Sequence, residues 1–315
     1  MGKCLVTKLN GTVNNQSLLR IGELRFEVRK VSSPNQYSQG FMFNVNKETT
    51  LEIIGDGYFT DKTLVENKGK TMTLSPSYDV YVYVSNGDFQ LAILNKYSLV
   101  RVNDYGEWGN GAQQTGFINK TLDLDNLKTL TALTSLNLYN TQVSGNVGDL
   151  KTSTALTSLN LSSTQVSGNV GDLKTLTALT SLHVRNNTTL LTYNISDFAL
   201  LPKLTNLTVE RANMTGDLAE LPDSCRFVSM ADTVSSTLTW GTRSSSAKVI
   251  AIKGNATISG IDKMLQDQAK CQVGFTSGEG NMYKTIECKG TRTSASDAAV
   301  QALQSKGYTV SITPA

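Results

Sequence analysis

One segment of the chain repeats itself almost verbatim. Residues 126–148 read NLKTLTALTSLNLYNTQVSGNVG, residues 149–171 read DLKTSTALTSLNLSSTQVSGNVG, and residues 172–184 open a third copy, DLKTLTALTSLHV, so the period is 23 residues. A unit this short cannot bury its own apolar side, so consecutive copies must stack to share an interior. The apolar skeleton is L-x-x-L-x-L-x-x-T-x-V-x-G-x-V-x-x-L, carried in the first copy by Leu133, Leu136, Leu138, Thr141, Val143, Gly145, Val147 and Leu150. Its L-x-L core alternates with period two, the mark of a short strand with one buried face. Gly145 and Gly168 supply the backbone freedom of a turn.

Weaker copies keep the register. The central strand positions Leu136, Leu159, Leu182, Leu207, Val228, Ile250 and Val273 are spaced by 23, 23, 25, 21, 22 and 23 residues, so seven rungs are expected over residues 118–282. The return arm Asp149-Leu150-Lys151-Thr152 reads as a turn or single helical turn with Asp149 as its N-cap. A parallel β-helix is the rival and would need further strands in each coil. Residues 283–315 change character, with a strand at 283–289, an amphipathic helix from Ser296 to Lys306 and a closing strand from Tyr308 to Ile312, as an α/β cap would.

Upstream of the repeats, residues 1–103 carry short alternating runs: Cys4 to Leu9, Leu24 to Val28, Phe41 to Val45, Thr50 to Ile54, Thr71 to Leu74, Val80 to Val84, Phe89 to Leu94 and Ser98 to Val102. This pattern predicts an antiparallel β-sandwich-like or jelly-roll-like domain. Ser85-Asn86-Gly87-Asp88 is a hairpin signal that pairs the runs on either side of it. Residues 104–117, DYGEWGNGAQQTGF, are the joint, with Trp108 expected over the open first rung.

The skeleton is similar to that of leucine-rich repeats over roughly residues 118–315. Its Thr-x-Val-Ser-Gly-Asn-Val variant resembles the Thr/Ser/Asn-rich repeats in proteins of gut anaerobic bacteria and their tailed phages. Thr141 and Thr164 stand where that family usually has Asn, and a hydroxyl offers less hydrogen-bonding capacity than an amide. The fold class expected is therefore mainly β, an N-terminal antiparallel sandwich followed by a leucine-rich-repeat solenoid with an α/β cap.

Composition excludes several functions. Charged residues make up 17% and the formal net charge is +3, which is no basic surface for a nucleic-acid backbone. No run of 18 apolar residues occurs, so no membrane insertion is expected, and no secretion signal is read at the start of the sequence. Cys4, Cys225, Cys271 and Cys288 form no C-x-x-C pair and read as buried free thiols, with Cys271–Cys288 the one bridge to test. His183 is the single histidine, so neither a two-histidine metal site nor a Ser/His/Asp triad is written here. Gly278-Glu279-Gly280 alone is no dinucleotide fingerprint. The acids Asp149, Asp172, Asp197 and Glu220 recur at one repeat position and read as turn caps before metal ligands or a glycosidase pair. No cofactor, metal or catalytic residue is expected.

What remains is the exposed strand face. Alternation places Asn137, Asn160, His183, Thr208 and Ser229 in one column and Tyr139, Ser162, Arg185, Glu210 and Ala231 in a second. Tyr139, His183, Arg185 and Glu210 are its candidate ligand-binding residues, because aromatic and arginine side chains anchor contact sites. A non-enzymatic recognition or assembly protein is expected, binding a protein or surface glycan on the solenoid face and an assembly partner through the N-terminal domain. The repeat resemblance and the unread secretion signal point to a virion-surface component of a phage, structural or receptor-binding. The alternative is a bacterial cell-surface adhesin or carbohydrate-binding protein.

Overall fold

The computed structural model describes residues 23–28, 41–55, 71–74, 76, 80–82, 89–104, 108–109, 112–113, 122–187, 191–231 and 235–315. The N-terminal strands are β1 (Leu24–Val28), β2 (Phe41–Val45), β3 (Thr49–Gly55), β4 (Thr71–Leu74), β5 (Val80–Val82), β6 (Phe89–Ile93) and β7 (Leu99–Asp104). The repeat strands are β8 (Ser135–Asn137), β9 (Ser158–Asn160), β10 (Ser181–Arg185), β11 (Asn206–Glu210), β12 (Phe227–Ser229) and β13 (Ala251–Lys253), followed by β14 (Thr285–Lys289) and β15 (Thr309–Thr313). From β7 to β15 these are consecutive neighbours in one parallel ladder of an eleven-stranded sheet, completed by antiparallel β2 and β5 beyond β7.

The register follows the leucines. Leu136 lies opposite Leu159, Leu159 opposite Leu182, Leu182 opposite Leu207, and Leu207 opposite Val228. Each is fully buried. The two later expectations are corrected: Val228 pairs with Ile252, not Ile250, and Ile252 pairs with Ile286, not with Val273, which is 39% exposed. The cause is an insertion. Gln272 hydrogen-bonds to the backbone of Ala247 and Val249, so the Cys271 segment lies on the approach to a rung, and the strand itself comes after a further excursion.

Small polar residues sew the coils together. The hydroxyls of Thr134, Thr157, Thr180 and Thr205 donate to the carbonyls of Val100, Thr134, Thr157 and Thr180 at 3.0, 3.0, 2.8 and 2.9 Å. The amides of the same threonines donate to the same carbonyls, so each of these carbonyls receives two hydrogen bonds from the next coil without any charge. Thr141 and Thr164 do the work expected of Asn by donating to Leu138 and Leu161 carbonyls at 2.8 and 2.7 Å. Where Asn does occur, at Asn187, its Oδ1 reaches back to the Thr164 amide at 3.1 Å.

The return arms are 3-10 turns at 147–152 and 170–175. Their N-caps are Asn146 and Asn169, three residues before the expected Asp149 and Asp172; each side chain accepts from a glycine amide, at 2.8 and 2.9 Å. Asn194 and Asp217 repeat the cap in later coils. Each of these coils also carries a second short parallel strand, such as Ser144–Asn146 against Gln165–Ser167 and Thr192–Asn194 against Asn213–Asp217. The coil thus has two strand segments and one helical side, which distinguishes it from an all-strand coil.

Near the N-terminus, β1, β6, β3 and β4 form a four-stranded antiparallel sheet. Phe26 on β1 meets Phe43 on β2 with ring centroids 5.6 Å apart. The hairpin expected between β5 and β6 is not formed: β6 takes β1 and β3 on its two edges, and β5 pairs with β2. The Asn86-Gly87 turn, Cys4, the run from Cys4 to Leu9 and the Trp108 side chain lie outside the described residues. Strand β7 pairs with β8 across the segment read as a joint, and Val102 lies opposite Leu136.

After β13 comes a helix that the period conceals, α1 (Ile261–Lys270), packed on α2 (Asp297–Ser305). Asp262 of α1 accepts from the Ser296 hydroxyl and from Thr293, so Ser296 stands at the N-cap of α2 without making a side-chain capping bond. Cys225, Cys271 and Cys288 are free and buried, so the Cys271–Cys288 bridge is not made.

Candidate functional site

The first column of the exposed face is in register: Asn137, Asn160, His183, Thr208, Ser229 and Lys253 are successive strand partners. In the first two coils this face is occupied with itself. The Asn137 and Asn160 side chains accept from the amides of Tyr139 and Ser162, both at 3.1 Å. Ser162, expected on display, is 1% exposed and its hydroxyl accepts from the Arg185 amide at 3.3 Å. The face becomes different at β10. Arg185 and Glu210 are strand partners with Nη1 and Oε2 3.8 Å apart, and the second Glu210 oxygen accepts from the Ser229 hydroxyl at 2.6 Å. His183 Nε2 lies 2.8 Å from Ser181 Oγ, and burial, helped by the Arg185 charge, lowers its pKa.

These groups open onto a depression of about 490 Å³. His183 and Arg185 line it from β10, Thr208 and Glu210 from β11, and Phe227 and Ser229 from β12. Lys253, Gly254 and Asn255 follow from the β13 side, and Met282 and Glu287 close the far end. The structure therefore gathers three of the four expected residues. Tyr139 stands on the β8 coil and does not line the depression.

The wall near Met282 is the excursion between α1 and β14, and the repeat pattern does not announce it. Tyr283 pins it down: its hydroxyl accepts from Asn206 Nδ2 at 2.9 Å, its ring meets Phe227 edge-on at 5.5 Å, and the Arg226 guanidinium lies 4.6 Å from its centroid. Arg226 also pairs with Glu279 at 2.5 Å. The Thr276 amide and the Arg226 contact hold the Glu279 carboxyl below its usual range, against a smaller opposing push from desolvation. Two signals in the sequence could have located this wall: the break in period before Ile286, and the aromatic Tyr283 in a stretch read as strand. Lys253 and Glu287 would have followed from centring those rungs on Ile252 and Ile286.

The acid column sits on the coils' return arms. Asp149 and Asp172 fall in the first turns of their arms rather than at the caps. The Asp172 and Asp197 carboxylates lie against Gly148 and Gly171 of the preceding coil, where any Cβ would collide with them. None of the four acids lines the depression. Among the described residues, no group of three or more His, Cys, Asp or Glu is placed to hold a metal ion, and no helix is long and apolar enough to cross a membrane.

No protein-family model matches the chain, and no curated protein does. Among solved structures it is similar to internalin C2 of Listeria monocytogenes, at 15% identity over 70% of this chain and 85% of that one, with a TM-score of 0.45. It is similar to the BIR2 ectodomain of Arabidopsis thaliana at 23% identity, over 35% and 62% of the two chains, TM-score 0.28. A third is the LRR ectodomain of the Arabidopsis thaliana receptor kinase GASSHO1/SCHENGEN3, in complex with CASPARIAN STRIP INTEGRITY FACTOR 2, at 16% identity over 53% and 23%, TM-score 0.32. The chain spans less than two thirds of either plant chain.

Proposed function

We propose that this chain is a non-enzymatic recognition protein that binds a partner, a protein or a surface glycan, at the depression around Arg185 and Glu210. One observation supports this above the rest: charged and apolar side chains from five strands converge there, on a face whose earlier coils spend their polar groups on themselves. Its volume of about 490 Å³ falls in the range of ligand pockets, roughly 300–1,000 Å³. Arg185→Ala is expected to weaken binding to a captured ligand by about 2 kcal/mol, ~30-fold, as central interface residues do. Asp149→Ala with Asp172→Ala is expected to leave it unchanged. The reverse result, measured by isothermal titration, transfers the site to the return arms.

Within that reading we propose a place on a phage particle, as a structural or receptor-binding component whose N-terminal β region docks on the assembly. Its support is the likeness of the Thr-x-Val-Ser-Gly-Asn-Val repeats to those of gut anaerobic bacteria and their tailed phages. The alternative is a cell-surface adhesin or carbohydrate-binding protein of a bacterium. Mass spectrometry of purified virions and of washed cell envelopes separates the two: the chain in virions supports the first, and its confinement to envelopes supports the second.

A further inference from the structure

We propose that the depression takes an extended polypeptide segment of mixed charge, with an acid set on Lys253 and a base, two residues along, set on Glu287. This rests on the recognition reading above and adds the chemistry of the partner. Lys253 and Glu287 each follow a paired core residue, Ile252 and Ile286, so they stand side by side on neighbouring strands. Both are exposed, and neither makes an ion pair or side-chain hydrogen bond among the described residues. At the other end of the depression the charges are already engaged, Arg185 with Glu210 and Glu210 with Ser229. The free cation and free anion are thus the groups left for a partner.

The lining charges cancel. Arg185 and Lys253 stand against Glu210 and Glu287, and their signs alternate from β10 to β14. A ligand of one sign meets a repulsive partner for each attractive one, whereas a ligand of alternating sign meets attraction throughout. An extended polypeptide presents such alternation on one side, since residues i and i+2 share a face about 7 Å apart. That exceeds the strand spacing of about 4.8 Å by an amount that long Lys and Glu side chains span.

A glycan fits less well. Sugar rings are held by an open aromatic face, and the phenyl ring in the lining, that of Phe227, is 3% exposed and turned edge-on to Tyr283. A neutral sugar also brings no charge to replace the water stripped from Lys253 and Glu287. Ser229, Ala231 and Gly254 keep the floor low between the charged ends, and Met282, 42% exposed, offers an apolar rim.

The test is selection of a random twelve-residue peptide library on the full chain, alongside an array of neutral and sialylated glycans. Enriched peptides are expected to carry an acid and a base two residues apart. Lys253→Glu is expected to weaken them about tenfold or more, the loss of an opposite-charge contact and the gain of a like-charge one. Lys253→Glu with Glu287→Lys is expected to bind best the same peptides with the two charges exchanged. These are surface positions, and an unchanged melting temperature verifies each variant's fold. Enrichment of single-sign or uncharged peptides, or glycan binding that Arg185→Ala abolishes and Lys253→Glu does not, overturns the mixed-charge partner and leaves the recognition face standing. Absence of any binder sensitive to Arg185→Ala overturns both.

Discussion

Arg243 is 5% exposed and donates to five backbone carbonyls, those of Ala219, Leu221, Pro222, Cys225 and Lys248. Burial lowers its pKa, yet arginine remains charged at any physiological pH, and its planar fork reaches several acceptors at once. Arg243→Ala strands those carbonyls and is expected to cost about 3 kcal/mol or more in urea unfolding. Arg243→Lys recovers only part of that, because an ammonium has no fork. Gly168 is constrained twice, by φ of +106° and by the Asn146 cap side chain occupying the place of its missing Cβ. Gly168→Ala is expected to destabilise by roughly 2 kcal/mol, the sum of strain and a displaced cap. His183 titrates below its ordinary 6.5 when folded, so the unfolded chain binds the more protons as pH falls through 6.5. Stability from this group is full above that pH and declines below it. The melting temperature of the native chain is expected to drop more steeply between pH 7 and pH 5 than that of His183→Asn.

At the scale of the element, the threonine ladder joins coils without charge: the hydroxyls of Thr157, Thr180 and Thr205 each meet a carbonyl of the coil before. Thr157→Val keeps the shape and removes one such bond, and is expected to cost about 0.5–1.5 kcal/mol by chemical denaturation. The strands of the repeat were legible because burial of Leu136, Leu159 and Leu182 writes period two directly into the sequence. The caps were misplaced by three residues because Asn146 and Asp149 are both good cap residues, and only the backbone decides between them. Helix α1 was missed because its apolar residues Ile261, Met264 and Leu265 fall where a return arm was due. Alternation placed His183, Arg185 and Glu210 on the strand face and residue type singled them out, whereas Met282 and Tyr283 arrive from an excursion outside the period, so no pattern linked them to the face.

For the whole molecule, one continuous apolar interior runs from Leu24 and Phe26 through the repeat leucines to Leu303 and Tyr308. A loss in the middle is therefore felt on both sides. Leu159→Ala is expected to cost about 2–5 kcal/mol and to lower hydrogen-exchange protection in the flanking rungs β8 and β10 as well as in β9. Both the recognition face and its mixed-charge depression depend on rungs that stack in register, since a slip of one residue turns every displayed side chain inward. The most direct measurement is a spin-label distance between Asn137→Cys and Lys253→Cys, in a chain with Cys4 replaced by Ser. These positions lie in one column five strand steps apart. At about 4.8 Å per step the account predicts a narrow distribution centred near 24 Å. A broad distribution, or one centred well beyond about 30 Å, contradicts in-register stacking at that spacing.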